Sequence, residues 1–159
     1  MIERRVRVAI ALGSNLGDRQ AHLDFAIRRL RALLEGATAS PVIDTEPVGV
    51  GPQPRFLNAA LAGWTVLPPR ALLDALQDLE RARGRTRPHA GAARTLDLDL
   101  ILYGDSRIDE PDFVVPHPRF RERRFVLEQL AAIAPDLRDP VTGLTVGELF
   151  ARLSDAEKT

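Results

Sequence analysis

The residues best suited to chemistry lie in Arg94-Thr95-Leu96-Asp97-Leu98-Asp99-Leu100-Ile101-Leu102-Tyr103. Successive side chains on a strand take opposite faces, so Leu96, Leu98, Leu100 and Leu102 are expected on one side and Asp97 and Asp99 on the other. Alternate strand residues stand about 7 Å apart, near enough for both carboxylates to reach one or two hard cations. Two uncompensated carboxylates repel, and the pKa of one rises. A divalent cation removes that repulsion, and all-oxygen donors suit Mg2+. A solvated acidic face on an edge strand has the same pattern, so the pair has to be read with its surroundings.

Those surroundings are cationic. From Arg81 to Arg94 there are five arginines and no acid, with Gly84, Pro88 and Gly91 among them. A charge run is ordinarily a solvated face. Beside a carboxylate pair it is also the arrangement for gripping a polyphosphate, in which metal neutralises some oxygens and guanidinium groups clamp others. A second basic cluster, Pro116-His117-Pro118-Arg119-Phe120-Arg121-Glu122-Arg123-Arg124-Phe125, follows downstream. His117, set between prolines, belongs to a loop rather than a helix interior; as a lone histidine it also fits a plain surface role. His22 and His89 have no partner at metal-ligand spacing.

The elements that must position these residues follow from periodicity. Arg5 to Leu12 reads as a strand, broken by Gly13-Ser14-Asn15-Leu16-Gly17-Asp18. Asp18 is expected to cap a helix with Leu23, Ala26, Ile27, Leu30, Leu33 and Leu34 at helical spacing and Gly36 as its stop. The Gly13 loop lacks a full phosphate-binding pattern, and a tight turn is the ordinary role for its glycines. Ala37 to Asp44 reads as a second strand. Three prolines and two glycines make Thr45 to Pro54 a loop. Phe56 to Leu67 is extended again. Pro68-Pro69 opens a helix with Leu72, Leu73, Leu76 and Leu79 buried and Gly84 as its stop. On that helix Glu80 falls inside the apolar arc and Gln77 at its edge. A carboxylate facing inward near a helix C-terminus needs a partner, and Arg85 and Arg87 offer one; a structural salt bridge and a ligand-site role both fit. Asp112 to Val115 forms a further strand, then a helix carries Val126, Leu127, Leu130 and Ile133, with a short one near Val146 to Leu153.

Composition excludes whole classes. Of 159 residues, 45% are apolar, which suits one domain over 1–159, its tail frayed after about residue 154. Zero net charge argues against general nucleic-acid or membrane-surface binding. Lys158 is the sole lysine, so phosphate recognition falls to Arg, whose planar donors are bidentate. No cysteine rules out disulfides and thiolate catalysis and fits a cytoplasmic protein. No apolar run reaches the length of a membrane span, and no apolar signal region follows the N-terminus. The order β-α-β-β-α-β predicts an α+β sandwich of the ferredoxin-like kind, mainly antiparallel, with helices packed on the sheet.

Several blocks, taken together, resemble the 6-hydroxymethyl-7,8-dihydropterin pyrophosphokinase family of folate biosynthesis. They are Ala11 to Asp18, Thr45 to Gly49, Gln53-Pro54 with Phe56 to Ala60, Gly84-Arg85, Arg94 to Asp99 and Val115 to Arg119. The match spans about residues 6 to 136 in order and spacing, and Arg-Thr-Leu-Asp-Leu-Asp with the later Val-Pro-His-Pro is its most specific part. The resemblance implies transfer of pyrophosphate from ATP to the pterin's hydroxymethyl oxygen, releasing AMP. It implies that Asp97 and Asp99 hold two Mg2+ ions, with Arg85 and Arg94 beside them in catalysis. Gln77, Glu80, Arg87, Leu100, His117 and Arg123 match the ATP side. Thr45, Glu46, Val48, Phe56, Asn58 and Phe125 match the pterin pocket, where a flat ring needs aromatic stacking and convergent hydrogen bonds. It further implies nucleotide binding before pterin, and a monomer is expected. Gly91 and Pro118 depart from aromatic residues that some members carry there. Two rival readings are a two-metal nucleotidyl transferase using the same acids and a non-catalytic nucleic-acid-binding module; 5% aromatics and no RNP-like block weigh against the second.

Overall fold

The computed structural model describes residues 4–46, 53–84 and 95–157. Val48, Arg85, Arg87, Arg94 and Gly91, all named above, lie outside them. In chain order the elements are β1 (Val6–Ser14), α1 (Arg19–Leu33), β2 (Glu35–Ala39), β3 (Ile43–Thr45), β4 (Phe56–Thr65), α2 (Pro69–Ala82), β5 (Asp97–Tyr103), β6 (Ile108–Glu110), β7 (Phe113–Val115), a 3-10 turn (Phe120–Glu122), α3 (Arg124–Ile133) and α4 (Val146–Glu157). The last helix therefore runs past its expected end at Leu153.

The main sheet has the order β2-β4-β1-β5, every neighbouring pair antiparallel, with β3 also paired to β4. That is the split β-α-β arrangement expected of a ferredoxin-like sandwich, since β4 comes between β1 and β2. The stretch expected as one strand from Ala37 to Asp44 is two. Pro41 has no amide to give a ladder, and the gap is closed by Ser40, whose hydroxyl accepts the Ala60 N–H at 2.8 Å. One edge of β4 thus carries β2 at one end and β3 at the other.

Asp18 caps α1 as expected, its side chain accepting the Ala21 amide at 3.1 Å. Gly36 is not the stop; the helix ends at Leu33, and Gly36 sits inside β2 at φ +57°, where the register against β4 slips. A left-handed residue at such a bulge is a glycine's place. Pro68 and Pro69 open α2, and Gly84, at φ +77°, follows its end.

Two apolar cores share the sheet. Val8, Ile10, Leu12, Leu61, Leu98 and Leu100 pack against Leu23 and Leu30 of α1 and Leu72 and Leu76 of α2. On the opposite face Ala9, Ala60 and Ala62 meet Val126, Leu127 and Leu130 of α3 and Val146 and Leu149 of α4. Small residues on that face let α3 lie close across β4. Each fully buried leucine contributes about 1.5–3 kcal/mol. The alternation expected along β5 holds only as far as Leu100. The register against β1 shifts between Ala9 and Ile10, so Ile101 is an extra residue. Leu102 then turns to the α3 face with Ile101, and Tyr103 takes its place in the first core.

Candidate active site

Asp97 and Asp99 lie on the α3 face of the sheet, at the end of it that α3 leaves partly open; both are half-buried. Their cross-strand partners on β1 are Gly13 and Ala11. Gly13 pairs on its other side with Asn58, which pairs in turn with Ile43. One row of the sheet therefore runs Asn58, Gly13, Asp97. With neighbouring strands about 4.8 Å apart, Asn58 and Asp97 stand about 10 Å apart across a residue with no side chain. A Cβ at Gly13 would come 3.1 Å from Asn58 Oδ1 and 3.5 Å from Phe56 Cδ1. The glycine keeps a floor open between an amide-bearing side and an acidic side.

On the amide side, β3 and β4 bring Thr45 opposite Phe56. Asn58, 7% exposed, donates from Nδ2 to Thr45 Oγ1. That fixes the amide's orientation and leaves Oδ1 toward Gly13. Buried Gln129 of α3 donates to the Asn58 carbonyl at 2.8 Å and to the Pro41 carbonyl at 3.2 Å. Phe125 lies one helical turn before Gln129 and so on the same face of α3, half-buried against the second core. Phe56, Asn58, Thr45 and Phe125 are thus brought to one place. Glu46 is exposed and pairs with Arg55 at 3.2 Å, while Arg55 Nε also donates to Asp44 at 2.6 Å. Exposed pairs of this kind hold little free energy, and Glu46 can exchange its partner for a ligand. Asn15 is buried and donates to Gln53 Oε1 at 2.9 Å and to the Pro54 carbonyl at 3.2 Å, tying the end of the Thr45 to Pro54 stretch to the residue that follows β1.

On the acidic side, Glu80 has found a backbone partner: Oε2 accepts the Leu98 amide at 2.8 Å. Leu98 stands between the two aspartates on the outermost strand, where its N–H has no sheet neighbour. The inward carboxylate of α2 takes the place of a missing strand. Alternate residues address the same edge, so Leu100 offers its backbone there too, while its side chain is buried in the first core. Gln77 lies exposed on α2.

His117 follows the buried Pro116, and its amide donates to the Ile101 carbonyl at 3.0 Å. Its Nδ1 accepts the Arg119 amide at 3.2 Å, which puts the neutral ring's proton on Nε2. Burial, with Arg123 and Arg119 adding to it and Asp97 opposing, pushes its pKa down to about 4. That electrostatic contact places His117, Arg123 and Asp97 in one neighbourhood. The imidazole is therefore neutral at physiological pH, a hydrogen-bond donor rather than a cation. Two consequences are measurable. In the ligand-free protein its NMR titration is expected near pH 4, with none between 6 and 8. The unfolded chain binds the proton more readily than the folded one, so stability is expected to fall as pH drops from 6.5 toward 4. A midpoint above 6 would contradict the burial.

Gln129 was missed in the sequence, whereas Gly13 was expected near Asn58 and the paired acids, and its pairing with both bears that out. Gln129 carried a signal, a polar residue on an otherwise apolar helix stripe; Gly13, expected in a tight turn after the strand, is instead a paired residue of β1, which runs on to Ser14.

Fold and site together define a class: an antiparallel α+β sandwich whose sheet ends in paired carboxylates beside a His- and Arg-bearing loop, suited to a charged, phosphate-bearing substrate. The 7,8-dihydro-6-hydroxymethylpterin-pyrophosphokinase family model matches residues 9–135. The chain is 43% identical over 147 residues to the 2-amino-4-hydroxy-6-hydroxymethyldihydropteridine pyrophosphokinase of Pseudomonas aeruginosa, covering 91% of this chain and 90% of that one. It is 41% identical over 135 residues to the Bacillus subtilis protein of the same name, covering 84% and 81%. In fold it is similar to a Plasmodium falciparum HPPK-DHPS, with TM-score 0.78 at 13% identity, over 98% of this chain and 43% of that one. The chain belongs to the 7,8-dihydro-6-hydroxymethylpterin-pyrophosphokinase family.

Proposed function

We propose that the protein transfers the terminal pyrophosphoryl group of ATP to 6-hydroxymethyl-7,8-dihydropterin in folate biosynthesis, releasing AMP. The observation that carries this reading is the row Asn58, Gly13, Asp97. Asn58 stands about 10 Å along this row from Asp97, with Phe56 two residues before it on the same sheet face, so a ring held beside them can direct a substituent toward the carboxylates. Relatives bearing this activity in their names match nearly the whole chain.

In this reading the pterin ring stacks between Phe56 and Phe125 and pairs its amide edge with Asn58 and the backbone from Thr45 to Val48, Glu46 closing the rim. Nucleotide lies along the open edge of β5, against Gln77, Glu80 and the Leu100 backbone. His117 donates from Nε2 to a phosphate oxygen, and Arg85, Arg87, Arg94 and Arg123 clamp the chain of phosphates. The hydroxymethyl oxygen attacks the β-phosphorus, its bond to the α–β bridging oxygen breaks, and AMP leaves with that oxygen. The hydroxyl proton passes to solvent as the new bond forms. The protein's part is alignment and charge complementarity.

Asp97 and Asp99 fit a magnesium site. They are hard oxygen donors at alternate positions of β5 and so on one face of the sheet. A pair of carboxylates leaves positions for water and phosphate, which is how Mg2+ is usually held beside nucleotides. Two such ions, when bound, supply charge neutralisation at the phosphates. We further read the protein as a cytoplasmic monomer that binds no nucleic acid or membrane. Zero net charge and absent cysteine accord with this, and no helix among the described residues is long and apolar enough to cross a membrane. A single-chain mass of 17.5 kDa in solution checks the oligomeric part.

The deciding assay mixes protein, ATP, Mg2+ and the dihydropterin and identifies both products. AMP and the pterin diphosphate, formed in equal amounts and abolished by chelation, are expected. Inorganic pyrophosphate as product would transfer the chain to nucleotidyl chemistry.

A further inference from the structure

The family match stops at Pro135, yet the segment after it is tied into the loop that bears His117 and Arg123. Asp139 is fully buried, at 0% exposure. Arg121 meets it with both arms of its fork, Nε donating to Oδ2 at 2.6 Å and Nη2 to Oδ1 at 2.9 Å. The remaining lone pairs accept the Val141 amide at 3.0 Å and the Thr142 hydroxyl at 2.8 Å. Burial alone would raise the Asp139 pKa, but Arg121, Thr142 and Val141 together hold it below the usual carboxylate range.

The support behind this carboxylate is stiff. The Asp139 amide donates to the Leu144 carbonyl and the Gly143 amide to the Asp139 carbonyl, each at 2.8 Å. Val146 and Gly147, opening α4, donate back to the carbonyls of Leu137 and Pro135 at 2.7 and 3.0 Å. In the turn in front of it the Phe120 amide reaches the His117 carbonyl at 3.4 Å and the Arg123 amide the Phe120 carbonyl at 3.3 Å, both long for such bonds, while Glu122 donates to the Arg119 carbonyl at 3.1 Å and Phe120 is fully buried. Arg121 lies between His117 and Arg123 in that turn, its guanidinium carbon 4.8 Å from the Phe120 ring centre.

A buried ion pair is a weak source of net stability but a strong source of geometry, because the fork accepts a carboxylate in one plane. We propose that Asp139 is a positioning residue, whose grip on Arg121 fixes the turn that presents His117 and Arg123 to the nucleotide. This makes the C-terminal segment beyond the family match part of the ATP site; it rests on the assignment of His117 and Arg123 to the nucleotide side made above.

The test uses the full chain with D139N and R121K. The lysine keeps the positive charge opposite Asp139 but replaces the fork by a point donor. For R121K, KM for ATP is expected to rise about tenfold while KM for the pterin stays within about twofold, the split that a displaced nucleotide loop produces. D139N is expected to do the same or more, and amide hydrogen exchange across residues 117–123 is expected to quicken in both, without nucleotide present. If D139N does not fold, R121K decides alone. A folded R121K with wild-type KM for ATP and wild-type exchange overturns the proposal. So does an equal rise in both KM values, which marks a general structural defect. Should the wild-type protein turn over no pterin, the functional reading fails by itself. Exchange, and calorimetric binding of a non-hydrolysable ATP analogue, then still report on the grip.

Discussion

Asp97→Ala and Asp99→Ala are each expected to lower turnover by about 10²–10³-fold or more, the loss typical of removing one preorganised electrostatic group from a reacting centre. Both side chains leave the sheet opposite Gly13 and Ala11 of β1, and neither belongs to either apolar core. Truncation is therefore expected to cost no more than about 1 kcal/mol of stability, the middle of the range for single substitutions and well below that of a core cavity. What it removes is a hard oxygen donor that no third acidic residue in a described cluster replaces. The effect should sit in kcat and in the Mg2+ concentration needed for half-maximal rate, while KM for the pterin changes little, since the ring corner lies across Gly13. Asn substitutions keep an oxygen but lose the charge and should fall between. Either alanine variant turning over within tenfold of wild type would remove the metal from the mechanism.

Glu80→Ala is expected to damage both fold and activity. Glu80 is 5% exposed and its carboxylate takes the Leu98 amide on the outer edge of β5. Removing it leaves a buried N–H unsatisfied, at about 1–3 kcal/mol, and opens space in an apolar helix stripe beside Leu76 and Leu72. A total of about 2–4 kcal/mol in urea unfolding is expected. Because the released amide lies between Asp97 and Asp99, kcat should fall with it even at temperatures where the variant is fully folded. Glu80→Gln retains an acceptor oxygen and should recover most of the stability. If Glu80→Ala loses activity but no stability, Glu80 acts on the nucleotide alone and the edge contact is incidental.

The Glu80 case shows where reading the chain stops. Its place in the apolar arc of α2 was legible, because helical periodicity is a property of neighbours in sequence. Its contact with the Leu98 amide was not, because that amide comes from another element. Arg85, Arg87 and Arg94 lie outside the described residues. Likewise the break between β2 and β3 had a local cause in Pro41, but its repair by the Ser40 hydroxyl required β4 alongside.

The sequence by itself determined the paired acids on one face of β5, the Asp18-capped helix, the strand order along the chain and the family. Those features follow from alternation, capping chemistry and motif spacing, all local. Only the tertiary structure decided that Ile101 would bulge and send Leu102 to the opposite core. It also decided that Gly13 would hold Asn58 and Asp97 apart, that Gln129 would hold Asn58, and that Asp139 would reach Arg121. Each of these joins residues far apart in the chain, and a hydrogen bond is chosen by which unsatisfied group ends up within about 3 Å once the layers pack, which no periodicity encodes.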